Sequence, residues 1–162
     1  MIKVAANHLQ AIRAHAESTY PDECCGLLMG KIAGDIKTLV EVWPIENAWN
    51  PEAAAEMPEM ECGAELGYSK RSRFAIAPEA MLKAMKQGRD RDLTIIGIYH
   101  SHPDHPAIPS ACDRALAWPQ YSYIIVSVRQ GIAQDLRNWS LDTDGNFQPE
   151  EIIVLESTQV KK

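Results

Sequence analysis

Apolar positions along this chain fall into short runs divided by polar and glycine or proline breakers, and their period changes from run to run. Ile2 to Val4 reads as a short first strand. Leu9, Ile12 and Ala16, with Tyr20 beyond them, recur at the spacing of one helical face. That spacing predicts a helix from His8 to about Thr19, capped by Asn7 and stopped by Pro21. Cys25 to Gly30 is apolar and short, as a buried strand is, and Gly34-Asp35 signals a hairpin into a partner strand from Ile36 to Pro44. Arg73 to Ile76 reads as a short strand. Pro78 suits the first turn of a helix from Glu79 to Gln87, closed by Gly88. Thr94 to Tyr99 and Tyr121 to Val128 are the most continuous apolar runs, and both read as buried strands. A helix from Ala111 to Ala117, ended by Pro119, falls between them. Ile132 to Ser140 and Glu151 to Leu155 complete the strands, with a tight turn at Asp144-Gly145. Strands and helices mix without regular alternation, which predicts an α+β fold with a mixed sheet.

Two segments break the pattern. Residues 47–72 hold Glu52, Glu56, Glu59, Glu61 and Glu65 among prolines and glycines, with no sustained period. They read as an acidic flexible insertion with at most one helical turn near Pro51 to Met57. Residues 157–162 read as a frayed tail on a single domain that spans 1–156.

The chemistry gathers where the strongest strand ends. Thr94 to Tyr99 runs straight into His100-Ser101-His102-Pro103. Residues i and i+2 of a strand share a face, so His100 and His102 project together and Ser101 points away. A proline-rich turn follows, then Ser110 at a predicted helix start with Asp113 in its first turn. Alone, each residue has an ordinary reading: Ser110 and Asp113 fit a capping box, and a histidine pair at a strand end fits a polar surface. Together, His-x-His-x7-Ser-x2-Asp brings two imidazoles and a carboxylate across one turn. That donor set suits a catalytic zinc with three protein ligands and an open fourth position. Hydrolysis at such a centre needs a base to take a proton from water. Glu23, directly before the strand Cys25-Gly26-Leu27-Leu28, is the candidate, with Asp22 as its rival.

Composition narrows the class. A chain of 162 residues is long enough to bury roughly 70% of its unfolded surface without a disulfide or metal to hold it together. The net charge of −6 argues against a nucleic-acid partner. No apolar stretch is long enough for a membrane span or a signal peptide. Cys24, Cys25, Cys62 and Cys112 form no C-x-x-C pair, so reduced thiols and a cytoplasmic location are expected. Cys112 reads as packed and structural.

Glu23, Cys25-Gly26-Leu27-Leu28 and the His100 to Asp113 motif together resemble the JAMM (MPN+) metalloprotease domain, over nearly the whole chain. The resemblance implies a cytidine-deaminase-like layered fold, a mixed sheet flanked by helices, although the chain has neither the H-x-E nor the P-C-x-x-C of a deaminase. It implies one zinc ion on His100, His102 and Asp113, Glu23 as base and then as acid toward the leaving amine, and Ser110 as a donor to the oxyanion. It also implies a substrate: a ubiquitin-like or sulfur-carrier protein of the ThiS, MoaD or CysO kind, cut after its Gly-Gly tail, as in the small stand-alone prokaryotic branch. Two other readings stay open, a non-catalytic scaffold domain and a zinc amidohydrolase acting on a small molecule. The carrier's identity, the group released and the oligomeric state, with a homodimer possible, are not fixed by the residues.

Overall fold

The computed structural model describes residues 1–54 and 68–156. The acidic insertion is therefore described only at its two ends, and the tail 157–162 lies outside the described residues. Eight strands form one mixed sheet. They are β1 (Ile2–Ala5), β2 (Cys25–Ala33), β3 (Ile36–Ile45), β4 (Thr94–Pro103), β5 (Ser122–Arg129), β6 (Ile132–Leu141), β7 (Phe147–Pro149) and β8 (Ile152–Leu155). Their order is β7-β6-β5-β4-β2-β3-β1-β8. The described helices are α1 (Ala6–Thr19), α2 (Pro51–Ala54), α3 (Pro78–Asp90) and α4 (Ala111–Ala115). None of them is long and apolar enough to cross a membrane.

The central strands are apolar on both faces because both faces are covered. Leu28, Ile96, Ile124 and Val126 face one way and pack with Leu9, Ile12 and Ala16 of α1. Leu27, Met29, Ile95 and Tyr123 face the other way and pack with Ala84 of α3. This α+β arrangement, helix on sheet on helix, agrees with the expected fold class.

β2 and β3 form the expected hairpin, with Ala33 opposite Ile36 and Gly34 at φ +61. On its other side β2 runs antiparallel to β4, placing Gly26 opposite Tyr99. A Cβ on Gly26 would stand 2.1 Å from the Tyr99 ring, so only glycine lets that ring lie across β2. The Tyr99 hydroxyl is 2.7 Å from His15 Nδ1, which ties α1 to the sheet. β5 runs parallel to β4 and pairs Ile125 with His100. The strand that carries the histidines is thus hydrogen-bonded on both sides.

Several boundaries differ from the sequence reading. α1 begins at Ala6, because β1 runs directly into it, and Ala5 rather than Asn7 takes the cap position without a side-chain bond. Gly88 lies inside α3, buried against Leu93 and Met29, and the helix runs on to Asp90. α4 is shorter than expected, ending at Ala115. β7 pairs with β6 where no strand was expected. Arg73 to Ile76 is extended but joins no strand ladder. Its backbone is held instead by Asn47 and Ala48: Asn47 Nδ2 donates to Arg73 O at 3.0 Å, Ala75 N donates to Asn47 Oδ1 at 3.2 Å, and Ala48 N donates to Ala75 O at 2.9 Å.

Candidate metal centre and active site

Strand alternation places His100 and His102 on one face at the end of β4, where they are 1% and 7% exposed. α4 brings the third group. Ser110 caps it: Asp113 N donates to Ser110 Oγ at 3.1 Å, and Ser110 N donates to Asp113 Oδ2 at 2.8 Å. The ordinary capping-box reading is therefore correct, and it does not compete with the site. The cap holds the Asp113 carboxylate against the histidines, with His100 Nε2 3.2 Å from Oδ1 and His102 Nε2 3.1 Å from Oδ2. The two Nε2 atoms are themselves 3.1 Å apart.

The protons in this cluster can be counted. His102 Nδ1 lies 2.8 Å from the carbonyl of Pro106, which can only accept, so the ring proton sits on Nδ1. A neutral His102 then turns a bare lone pair at Nε2 toward both a carboxylate and another imidazole. His100 can offer at most one hydrogen to that space, and its buried Nδ1 has no partner among the described residues. Acceptors outnumber donors, and a cation resolves the mismatch. The spacing suits one: a tetrahedral ion with ligands at about 2.0–2.1 Å separates them by about 3.3 Å. One ligand atom from each of the three residues lies within 4.8 Å of the others. His100, His102 and Asp113 could therefore hold a divalent metal through Nε2, Nε2 and a carboxylate oxygen.

The electrostatics agree with that assignment. Burial lowers the pKa of His100, against the pull of Asp113, and so favours the neutral form that binds metal. Burial opposes ionisation of Asp113, but positive charge at the two imidazole positions outweighs it and holds the carboxyl well below the ordinary range; with the rings neutral, a bound cation would supply that charge.

Glu23 is 5% exposed and stands at the entry to β2. Its N–H donates to Lys70 O at 2.7 Å, and its carbonyl accepts from Asn47 Nδ2 at 3.0 Å. Burial pushes its carboxyl well above the ordinary glutamate range; Asp113 adds to the shift and Arg73 opposes it. Glu23 lines two clefts, one with His100 and Asp113 and the other with His102 and Ser110. Asp22, its rival in sequence, lines neither.

Four supporting groups escaped the sequence reading. Ser101 points away from the histidines, as expected, but its Oγ accepts from Cys24 N at 2.8 Å and its own N–H donates to Cys24 O at 3.2 Å. This pair fixes the residue next to Glu23 against the histidine strand. Asn47 clamps Glu23 to the Arg73 to Ala75 segment. Phe74 stacks on His100 with centroids 4.5 Å apart, and the Pro106 carbonyl orients His102. The cysteine expectation also changes. Cys24 and Cys25 are free and buried, but Cys112 is disulfide-bonded. Pairing depends on approach in space, which sequence spacing does not display.

The family model described as prokaryotic homologs of the JAB domain matches residues 5–142. The chain belongs to this family. It is 28% identical over 157 residues to the CysO-cysteine peptidase of Mycobacterium tuberculosis, covering 96% of this chain and 92% of that one. It is 31% identical over 132 residues to the desampylase of Haloferax volcanii, covering 78% of this chain and 80% of the relative. Among solved structures, a protein of Desulfitobacterium hafniense superposes with a TM-score of 0.76 at 29% identity, covering 98% of this chain and 96% of that one.

Proposed function

We propose that this chain is a zinc metallopeptidase that hydrolyses the bond after the C-terminal Gly-Gly of a ubiquitin-like or sulfur-carrier protein. The observation that carries the reading is the convergence of His100, His102 and Asp113 beside the buried carboxyl of Glu23. Two nitrogens and one carboxylate oxygen with room for a fourth ligand suit zinc. The CysO-cysteine peptidase and desampylase relatives favour a carrier-type substrate over the small-molecule amidohydrolase and scaffold readings.

Each residue then has a role. His100, His102 and Asp113 would hold one zinc ion per chain, which supplies Lewis acidity toward the scissile carbonyl and toward water. Glu23 takes a proton from the attacking water on its carboxylate and returns it to the leaving amine. The raised pKa suits this exchange, because a carboxyl that is easily reprotonated serves as both base and acid. Ser110 Oγ already accepts the Asp113 N–H, so its own proton remains to be donated to the developing oxyanion. The Asn47 and Ser101 bonds keep Glu23 in place throughout. A Gly-Gly tail suits the approach, since it lays bare backbone between Glu23 and the metal ligands.

The test is cleavage of a sulfur-carrier protein extended past its Gly-Gly, with metal content measured on the same sample. Zinc-dependent release of the extension, one zinc per chain, is the expected result. Turnover of small amides but not of the carrier would support the amidohydrolase instead. Carrier binding without turnover would support the scaffold.

A further inference from the structure

Two clefts share Glu23, Ser72 and Arg73 and differ in the rest of their walls. On one side, His102 and Ser110 face a cleft of about 370 Å³ that also meets Tyr68, His105, Pro106 and Ile108. On the other, His100 and Asp113 face a cleft of about 270 Å³ walled by Phe74, Ile76, Met81, Leu116, Trp118 and Tyr123. A Gly-Gly tail has no side chain with which to fill an apolar cleft. Extended, it spans about 7 Å of backbone and needs only hydrogen-bonding walls. The apolar cleft has therefore no occupant in the reaction as described so far.

We infer that this cleft receives the side chain of the first residue released, directly after the cleaved bond, and that this side chain is large and apolar. The inference rests on the proposed cleavage after Gly-Gly. Position argues for it. Two of the proposed metal ligands form part of the cleft's wall, so its occupant must branch from the chain close to the reacting carbonyl. The Cβ of the first released residue is two bonds from the scissile nitrogen. A side chain on the carrier ahead of Gly-Gly starts about 7 Å further back. Size argues for it too. Drug-sized sites run from about 300 to 1,000 Å³, and this cleft falls just short, as suits one side chain. Arg73, Glu23 and Ser72 line the cleft as well, but its apolar side chains gain most from covering a large apolar group, so a large apolar side chain is favoured over a small one.

The experiment uses the zinc-loaded chain and a carrier ending in Gly-Gly-X, with X as Phe, Leu, Ala or Asp. Phe and Leu are expected to exceed Ala in kcat/KM by about 10–200-fold, the usual worth of filling an apolar pocket, and Asp shows what Arg73 adds. Leu116→Trp should crowd the cleft and bring the Phe-to-Ala ratio toward one; Leu116 is 39% exposed, so the fold can take the change. Ratios do not depend on the fraction of folded protein. A binding readout stands beside them: L-phenylalaninamide, but not L-alaninamide, should shift the Met81 methyl resonance of the metal-free chain. Equal rates for every X, or a preference that follows the residue ahead of Gly-Gly, would overturn the inference and leave Gly-Gly cleavage standing. Failure to cleave any member would take down the underlying reading with it.

Discussion

Two buried polar clusters sit in the same sheet, and they are built on opposite terms. Glu150, between β7 and β8, has a side chain only 8% exposed. Its Oε1 accepts from Ser122 Oγ at 2.5 Å and from Asn138 Nδ2 at 3.1 Å, while Oε2 accepts from the terminal ammonium of Met1 at 2.9 Å and lies 3.6 Å from Lys37 Nζ. Lys37 in turn donates to Ser122 Oγ at 2.8 Å. These bonds join β5 and β6 to β1 and β3 across the curl of the sheet. Donors and acceptors match there, apart from Asn138 Oδ1, which has no partner among the described residues. At the end of β4 the balance fails: acceptors face one another and a carboxyl is buried beside them. The lesson is general. A buried polar group satisfied by its neighbours holds a fold together, whereas one left wanting a cation or a proton marks chemistry.

The largest effect expected of this contrast is at the proposed metal ligands. His100→Ala and Asp113→Ala should each abolish bound metal and carrier cleavage, while a cut at the other cluster should leave both intact. Proton competition sharpens the point. The ligands must be deprotonated, and an ordinary imidazole titrates at about 6.5. Burial lowers the pKa of His100, so metal affinity should hold through neutral pH and fall once pH drops below about 6.5 toward 5. Zinc titrations across that range check this; affinity unchanged down to pH 5 would remove the histidines from the ligand set.

Next in size is Glu23, where catalysis and stability should part company. Glu23→Gln cannot move a proton, so cleavage should fall by about 10²–10⁴-fold with metal content unchanged. The raised carboxyl pKa means that the ionised form costs stability as pH rises above the ordinary value of 4.5. Removing the charge lifts that cost, so the metal-free variant should melt no lower than wild type at neutral pH. Asp22→Asn should change little, since Asp22 lines neither cleft. Calorimetry and turnover on the same preparations decide the matter. Loss of zinc in Glu23→Gln would make Glu23 a ligand rather than the base.

The candidate site was largely legible in the sequence because the geometry that gathers it is local. His100 and His102 share a face by strand alternation, and Asp113 follows from helix-cap spacing, so one stretch of 14 residues names the candidate donor set. The two-faced strands were legible for the same reason: unbroken apolar runs mean burial on both sides. What escaped depends on backbone atoms distant in the chain. Asn47 bonds the carbonyls of Glu23 and Arg73, 24 and 26 positions away, and no local pattern marks an asparagine for that use. It is also why Arg73 to Ile76 misleads. The residues read as a strand, but the Asn47 amide and the Ala48 N–H take the bonds that a neighbouring strand would have made. Phe74 was missed likewise, because a stack on His100 needs the whole β4 segment in place first.

The smallest effect belongs to the cluster that is already satisfied, and it should carry the opposite sign to Glu23. Burial tends to raise the Glu150 pKa, but the Ser122 hydroxyl, the terminal ammonium and Lys37 outweigh it and hold the carboxyl below its ordinary value of 4.5. A carboxylate whose folded pKa is depressed contributes stability above its unfolded pKa and loses it as pH falls through the folded one. Glu150→Gln should therefore cost about 1.5–3 kcal/mol at neutral pH, the usual worth of hydrogen bonds to a charged group. The gap to wild type should narrow as pH drops below 4.5, where the wild-type carboxyl begins to protonate too. Metal content and cleavage per folded molecule should not change. Urea unfolding at neutral pH and in mild acid reads both quantities. A Glu150→Gln protein as stable as wild type at neutral pH, or a gap that widens in acid, would mean that this carboxylate is no better satisfied than Glu23, and the distinction between the two clusters would fail.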